Sequence, residues 1–260
     1  MTIVLPAYNE EDRLGPALDE LFGYLRRRGP GRSGLPTPEE LPGTIRVLVV
    51  DDGSSDGTAD LVRRRPEAAP DGASRAALEL LLVPHGGKGA AVRAGMLAAD
   101  SDIVIFADAD MATPPDQLPL LNRALRDHDV ALGSRIQPNG KDMRASQPGY
   151  RRLLGKIFHF VASVWVVGPV KDTQCGFKGF TRDAAQDIFS RQKVTSIVFD
   201  VELIFLARRL GHPIAIVPIE WSDRRGSRMR ARPGLALRVL WDLLRIRLVH
   251  RGLTRRDSRG

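Results

Sequence analysis

The densest chemistry in this chain is a pair of carboxylates one residue apart, Asp108-Ala109-Asp110, directly after the apolar run Val104-Ile105-Phe106-Ala107. Acidic groups at the end of a buried strand are costly unless a positive charge meets them. Two carboxylates at this spacing suit one hard divalent cation, Mg²⁺ or Mn²⁺, that bridges a diphosphate. A solvated acidic loop is the competing reading. Two more polar clusters follow apolar runs: Pro6-Ala7-Tyr8-Asn9-Glu10, and Asp51-Asp52-Gly53-Ser54-Ser55-Asp56-Gly57-Thr58. The second alone is equally good turn and helix-cap chemistry. His85-Gly86-Gly87-Lys88-Gly89 opens a helix after a strand, where free backbone N–H groups and a lysine suit an anion. It lacks the Gly-x-x-x-x-Gly-Lys-Ser/Thr spacing of a P-loop.

These clusters need a scaffold that gathers them. Short apolar runs alternate with amphipathic segments, the pattern of βαβ units and a mostly parallel sheet. Strands are predicted at Ile3–Leu5, Ile45–Val50, Leu78–Val83, Ile103–Ala107, Val130–Gly133 and Ile214–Ile219. Helices are predicted at Glu10–Arg28, Thr58–Arg65, Lys88–Ala99, Pro115–Arg126, from Arg151, and near Asp200–Leu210. Lys171–Thr181 reads as irregular, and residues 29–44 and 136–149 as Pro/Gly loops. In an open α/β sheet ligands bind beyond the carboxyl ends of the strands, so the three acidic clusters should share one crevice.

With 43% hydrophobic and 27% charged residues over 260 positions, the chain is too apolar for general disorder and long enough for a sizeable core. A single cysteine, Cys175, excludes an intramolecular disulfide framework and a multi-cysteine zinc site. Its expected role is a packed thiol near the site, since no histidine lies beside it to activate it. The five histidines show no metal-ligand spacing. No secretory signal is expected at Met1, and the longest strongly apolar stretch, Ile157 to Val167, falls short of the roughly 20 residues that span a bilayer.

Together with Gly87-Lys88-Gly89, the three acidic clusters in this order and spacing resemble a family 2 glycosyltransferase with the GT-A fold. Gly133-Ser134-Arg135, Asp172-Thr173-Gln174-Cys175-Gly176-Phe177-Lys178, Phe199-Asp200-Val201-Glu202-Leu203 and Val217-Pro218-Ile219 narrow the likeness to dolichyl-phosphate glucosyltransferases and their bacterial polyprenyl-phosphate relatives. The resemblance spans about residues 2–250. It implies a Rossmann-like, mostly parallel sheet flanked by helices, over residues 1–222, with a nucleotide-binding half to about 112 and an acceptor half beyond. Pro6, Ala7, Tyr8, Glu10 and Asp51 would hold the uridine of a UDP-glucose donor, with Lys88, Asp108 and Ala109 beside it. Asp108 and Asp110 would hold Mg²⁺ or Mn²⁺ on the diphosphate. Arg135 would face the acceptor phosphate. Relatives that use GDP-mannose often carry Gln two places after the second aspartate; Ala112 stands there, which favours the glucosyl branch.

A phosphate acceptor is already ionised and needs no general base. Asp172 and Asp200, grouped with Arg135 as the catalytic set, are therefore expected to orient Arg135 or Lys178. One of Asp200 and Glu202 is expected to cap a helix while the other faces the site.

The excess of 39 basic over 31 acidic residues gives a net charge of +8 and is uneven. Arg224, Arg225, Arg228, Arg230 and Arg232 precede Leu235–Val249, a helical pattern with a wide apolar face, forming a C-terminal appendage over residues 223–260. A core helix explains that face as well as an interfacial one. The basic cluster favours peripheral contact with an anionic membrane on its cytoplasmic side. Alternatives are a soluble or saccharide acceptor, a GDP-mannose donor, or nucleic-acid binding. The last leaves the acidic clusters unexplained, because they would repel a polyanion; nucleic acid is not an expected partner.

Overall fold

The computed structural model describes residues 1–27, 37–69, 75–140, 142–143, 172–222 and 233–253, with Val166, Gly168 and Val170; side chains 233–238 and 240 are excepted. The helix predicted from Arg151, the cluster Arg224–Arg232 and residues 254–260 lie outside these residues.

Seven strands form one sheet: β1 (Thr2–Ala7), β2 (Ile45–Asp51), β3 (Ala76–Leu82), β4 (Ile103–Ala107), β5 (Val130–Ser134), β6 (Phe177–Thr181) and β7 (Ile214–Pro218). Their order is β3-β2-β1-β4-β6-β5-β7. The first four are parallel, β5 pairs parallel with β7, and β6 runs antiparallel between β4 and β5. The expected mostly parallel α/β sheet is therefore present.

Alternation along each strand divides the core in two, because successive side chains leave opposite faces. Ile3, Leu5, Val47 and Val49 pack with Leu14, Leu18, Leu21 and Leu25 of α1 (Glu11–Leu25). Val4, Leu48 and Val50 face the other layer, where α3 (Lys88–Ala98), α5 (Arg182–Arg191) and α6 (Phe199–Leu210) bury Met96, Phe189, Phe199 and Leu206. Two shorter helices, α2 (Thr58–Arg63) and α4 (Leu118–Ala124), lie in the β2–β3 and β4–β5 connections. The single helix expected over Pro115–Arg126 begins as a 3-10 turn, Pro115–Gln117.

Two expectations need correction. The segment read as irregular contains β6, and α5 follows it directly, capped by the Thr181 hydroxyl accepting from the Ala184 N–H. The C-terminal helix α7 (Pro233–Val249) is more than an appendage: Leu243 and Ile246 are buried in the main core. Its apolar face serves the core on that side, as a buried helix stripe should.

Candidate active site

Register decides which residues meet. Ala7 pairs with Asp51 at the tips of β1 and β2, Ala107 pairs with Phe177 across β4 and β6, and Ser134 pairs with Pro218 across β5 and β7. Each tip leads into one of the polar clusters. Asp51, Asp108, Arg135 and the Cys175-Gly176 turn consequently rim one edge of the sheet.

On the first side of this rim, the Asp51 carboxylate accepts from the Ser54 N–H at 2.9 Å. Buried Asp52 accepts from the N–H groups of Gly86 and Gly87 at 2.8 and 2.9 Å, fixing the loop that starts α3. Gly87 has φ 89, a left-handed conformation that glycine reaches without steric cost. Tyr8, 43% exposed, stacks on His85 with ring centroids 4.3 Å apart, an aromatic platform next to Asp51. Glu10 is turned aside: its carboxylate is held by Arg13 at 2.5 and 2.6 Å.

At the centre, Lys88 donates to Asp108 at 2.5 Å. Partial loss of hydration works against the Lys88 ammonium, but Asp108 and Asp200 more than offset it and raise its pKa. Burial, then repulsion from Asp108, raises the pKa of the Asp110 carboxyl above its ordinary value. Met111 holds a left-handed φ of 49, closing a turn in which Ala112 N–H donates to Asp110 at 3.1 Å. A non-glycine residue adopts that conformation at a cost of about 1 kcal/mol, so the surrounding contacts must enforce it. Gly176 lies against Asp108 so closely that a Cβ there would overlap the carboxylate. Among the described residues no group of three or more His, Cys, Asp or Glu could hold a metal. Two mutually repelling carboxylates do fit Mg²⁺ or Mn²⁺ that completes its shell with substrate phosphates and water.

The far side is pre-paired. Arg135 donates through Nε and a terminal nitrogen to the two oxygens of Asp172 at 2.8 and 2.6 Å, and its backbone N–H adds a third contact at 2.8 Å. This fork leaves guanidinium N–H donors for another anion. Burial opposes the Arg135 charge, yet the Asp172 contacts hold its pKa above the ordinary value. The guanidinium also lies 5.6 Å from the centre of the Trp221 ring. A cavity of about 670 Å³ opens beside that ring, with Pro114, Pro138, Met143, Gln137 and Glu220 in its wall. Deeper down, fully buried Lys178 donates to Asp200 and to the Cys175 carbonyl, both at 2.5 Å. Burial pushes the Asp200 carboxyl up against the opposing pull of Lys178. Burial likewise drives the Cys175 thiol up to about 12, so it is packed and not a nucleophile.

A model of glycosyl transferase family 2 matches residues 2–189. This chain belongs to that family. A dolichyl-phosphate β-glucosyltransferase from Trichomonas vaginalis is 35% identical over 257 residues, covering 96% of this chain and 71% of that protein. Its namesakes from Drosophila melanogaster and Homo sapiens are 37% and 34% identical, each covering 88% of this chain and 69% of theirs. Glucosyl-3-phosphoglycerate synthase from Mycobacterium tuberculosis, solved with UDP, superposes with a TM-score of 0.62 at 20% identity, over 94% of this chain and 79% of that one. Other crystals of that synthase hold Mn²⁺, UDP-glucose and phosphoglyceric acid. The shared architecture is the GT-A fold.

In this glycosyltransferase the sheet brings Tyr8, Asp51, Lys88, Asp108, Asp110, Arg135 and Asp172 to one rim. Pro6, Ala7 and Ala109 supply backbone and small side chains between them. Asp172 and Asp200 were expected to orient Arg135 or Lys178, and the structure pairs Asp172 with Arg135 and Asp200 with Lys178. The expected cap is not: Val198 occupies the N-cap of α6 and Glu202 is fully buried. Glu202 accepts from the N–H groups of Lys193 and Val194 and pairs with His250 at 2.6 Å. Sequence reasoning gave no separate role to Asp52, His85, Gly176 or Trp221. Asp52 and His85 stood inside quoted motifs, whereas nothing local marks Trp221.

Proposed function

We propose that this glycosyltransferase moves glucose from UDP-glucose to a dolichyl or polyprenyl phosphate with inversion, in a metal-dependent reaction. The observation that carries the reading is the division of the rim: a repelling carboxylate pair with Lys88 on one side and a pre-oriented guanidinium on the other. The relatives' names supply the sugar and the lipid acceptor.

The uracil lies on the Tyr8 and His85 platform with Asp51 accepting from the base. Asp108 and Asp110 would hold Mg²⁺ or Mn²⁺, which would supply positive charge to the diphosphate leaving group. Lys88, already beside Asp108, adds its ammonium to the same leaving group. Arg135 binds the acceptor phosphate through the N–H donors that Asp172 leaves open, and offsets repulsion between two anionic substrates. An oxygen of that phosphate attacks the anomeric carbon from the face opposite the diphosphate, which inverts it; no side chain needs to remove a proton. The cavity beside Trp221 receives the acceptor end next to Arg135. Because the acceptor is a lipid, the enzyme works at a bilayer, peripherally and on its cytoplasmic side.

A donor panel of UDP-glucose, UDP-galactose and GDP-mannose with polyprenyl phosphate, read by mass spectrometry of the lipid, tests this. A glucosyl-phospholipid from UDP-glucose is the expected product. Transfer from GDP-mannose would replace the donor, and transfer only to a soluble phosphorylated acid would replace the acceptor.

A further inference from the structure

Helix α7 has two apolar faces, and the fold uses only one. Leu243 and Ile246 are buried in the core, and Val239 packs against it. On the opposite side Trp241, Leu244 and Leu248 are 62%, 37% and 44% exposed. Their spacing of three and four residues places them on one stripe. Three of the exposed large hydrophobic side chains of the described residues therefore stand in one row on one helix.

The row has a charged border. At 100° per residue, Arg245 falls on one flank of the stripe and Arg247 on the other, and Arg251 follows in the turn just past the helix end. All three are exposed. Aliphatic stems with charged ends on both sides of an apolar row match the boundary between acyl chains and anionic headgroups. A tryptophan at one end of the row suits the same boundary. A protein partner would have to supply anionic groups at matched positions on both flanks, whereas an anionic leaflet supplies phosphates everywhere.

We propose that the Trp241, Leu244 and Leu248 face of α7 is a docking surface for an anionic lipid bilayer. No helix among the described residues is long and apolar enough to cross a membrane, so this face rests on the surface and does not span. The choice of a bilayer rests in part on the lipid acceptor proposed above. The helix is also stapled to the catalytic rim. Asp242 accepts from the Ser196 hydroxyl at 2.7 Å, and His250, which follows the helix, pairs with Glu202 at 2.6 Å. Between those staples the Thr195 carbonyl accepts from the N–H of Gly89, in the first turn of α3 beside Lys88. Docking through α7 therefore fixes the height and tilt of the donor site above the leaflet.

The test uses the full chain with vesicles of phosphatidylcholine alone or with one third phosphatidylglycerol, in the absence of substrates. Co-sedimentation with the anionic vesicles, and quenching of Trp241 fluorescence by lipids brominated on the acyl chains, is the expected result; a Trp241→Phe variant identifies the quenched signal. The exposed-face triple variant Trp241→Ser, Leu244→Ser, Leu248→Ser should keep its melting temperature and lose binding at least tenfold. Arg245→Ser with Arg251→Ser should lower binding to anionic vesicles roughly thirtyfold, for two charges at about 1 kcal/mol each. Transfer is then measured to a short, water-soluble polyprenyl phosphate and to a long-chain one held in vesicles. The triple variant should keep the first and lose the second. Equal vesicle binding by wild type and triple variant would overturn the docking face, as would a change from dimer to monomer in the triple variant with no vesicle binding by either. Failure of wild type on both acceptors, with vesicle binding intact, would instead overturn the functional reading.

Discussion

The two sides of the rim handle charge in opposite ways. On the donor side, burial and then Asp108 raise the pKa of Asp110 against the weaker pull of Arg13 and Lys88, and Lys88 pairs with Asp108 alone of the two carboxylates. On the acceptor side each cation already has its carboxylate: Arg135 with Asp172, and Lys178 with Asp200. A site that waits for a positively charged ion keeps negative charge unmet, whereas a site that must hold a guanidinium still in the absence of ligand supplies its counter-ion in advance. The first arrangement stores a cost that ligand binding removes. The second meets that cost within the fold and keeps geometry fixed.

The sharpest way to break this contrast is to remove the deepest pre-paired charge. Lys178→Met leaves Asp200 buried without its partner, and removal of one member of a buried pair costs about 3–5 kcal/mol. Chemical denaturation should show a loss of that size, and Lys178→Met with Asp200→Leu should recover much of it. An unchanged midpoint in the single variant would show that the pair is not structural.

Asp110→Asn addresses the other side. Wild type with UDP and Mn²⁺ at about 100 times the dissociation constant should gain roughly 2.7 kcal/mol of stability, and the variant should gain little. Without ligand the order reverses. The folded-state pKa of Asp110 is raised, so its ionised form opposes folding at neutral pH, and that opposition fades as pH falls through the raised value. The metal-free asparagine variant should therefore melt at or above wild type at pH 7, with the difference vanishing toward acid. Equal stabilisation by UDP and Mn²⁺ in both proteins would remove Asp110 from the metal site.

Arg135→Lys keeps a charge opposite Asp172 and loses the planar fork. Loss of one charged contact of about 1.5 kcal/mol slows transfer close to tenfold, while UDP affinity by calorimetry stays unchanged. Weakened UDP binding with normal turnover would move Arg135 to the donor side. The smallest effect belongs to His85→Ala. Losing its stack on Tyr8 should weaken UDP binding by about 0.5–1 kcal/mol, roughly two- to fivefold in the dissociation constant, with turnover at saturating donor preserved.

Most of the donor side was legible because the parallel strands are continuous apolar runs and their chemistry follows immediately in the chain. Val104–Ala107 leading into Asp108 is the clearest case. The acceptor side was less so. Strand β6 reads Phe-Lys-Gly-Phe-Thr, and a lysine and glycine within five residues hide it. Lys178 is tolerated at full burial only because Asp200, on a helix far along the chain, supplies the counter-charge. Such a partner leaves no local period. Glu202 failed as a sequence reading for the same reason: its partners are His250 and two backbone N–H groups outside its own helix. The apolar face of α7 offered two readings, core or interface; the fold buries Leu243 and Ile246 in the core and leaves Trp241, Leu244 and Leu248 exposed.

The place of β6 in the sheet also sets a timetable. Strands β1 to β4 are neighbours in the sheet and complete by residue 107, so a four-stranded layer can assemble early in synthesis. Strand β5 is made next, yet among the described residues its sheet neighbours are β6 and β7, and β4 has none beyond β1 until β6 arrives. From about residue 135 to residue 181 the growing chain therefore carries an unpaired apolar strand and an open edge side by side. Exposed edges of this kind recruit other chains. Ribosome pausing or truncation inside that window should yield more aggregated, chaperone-bound fragments than release well after it.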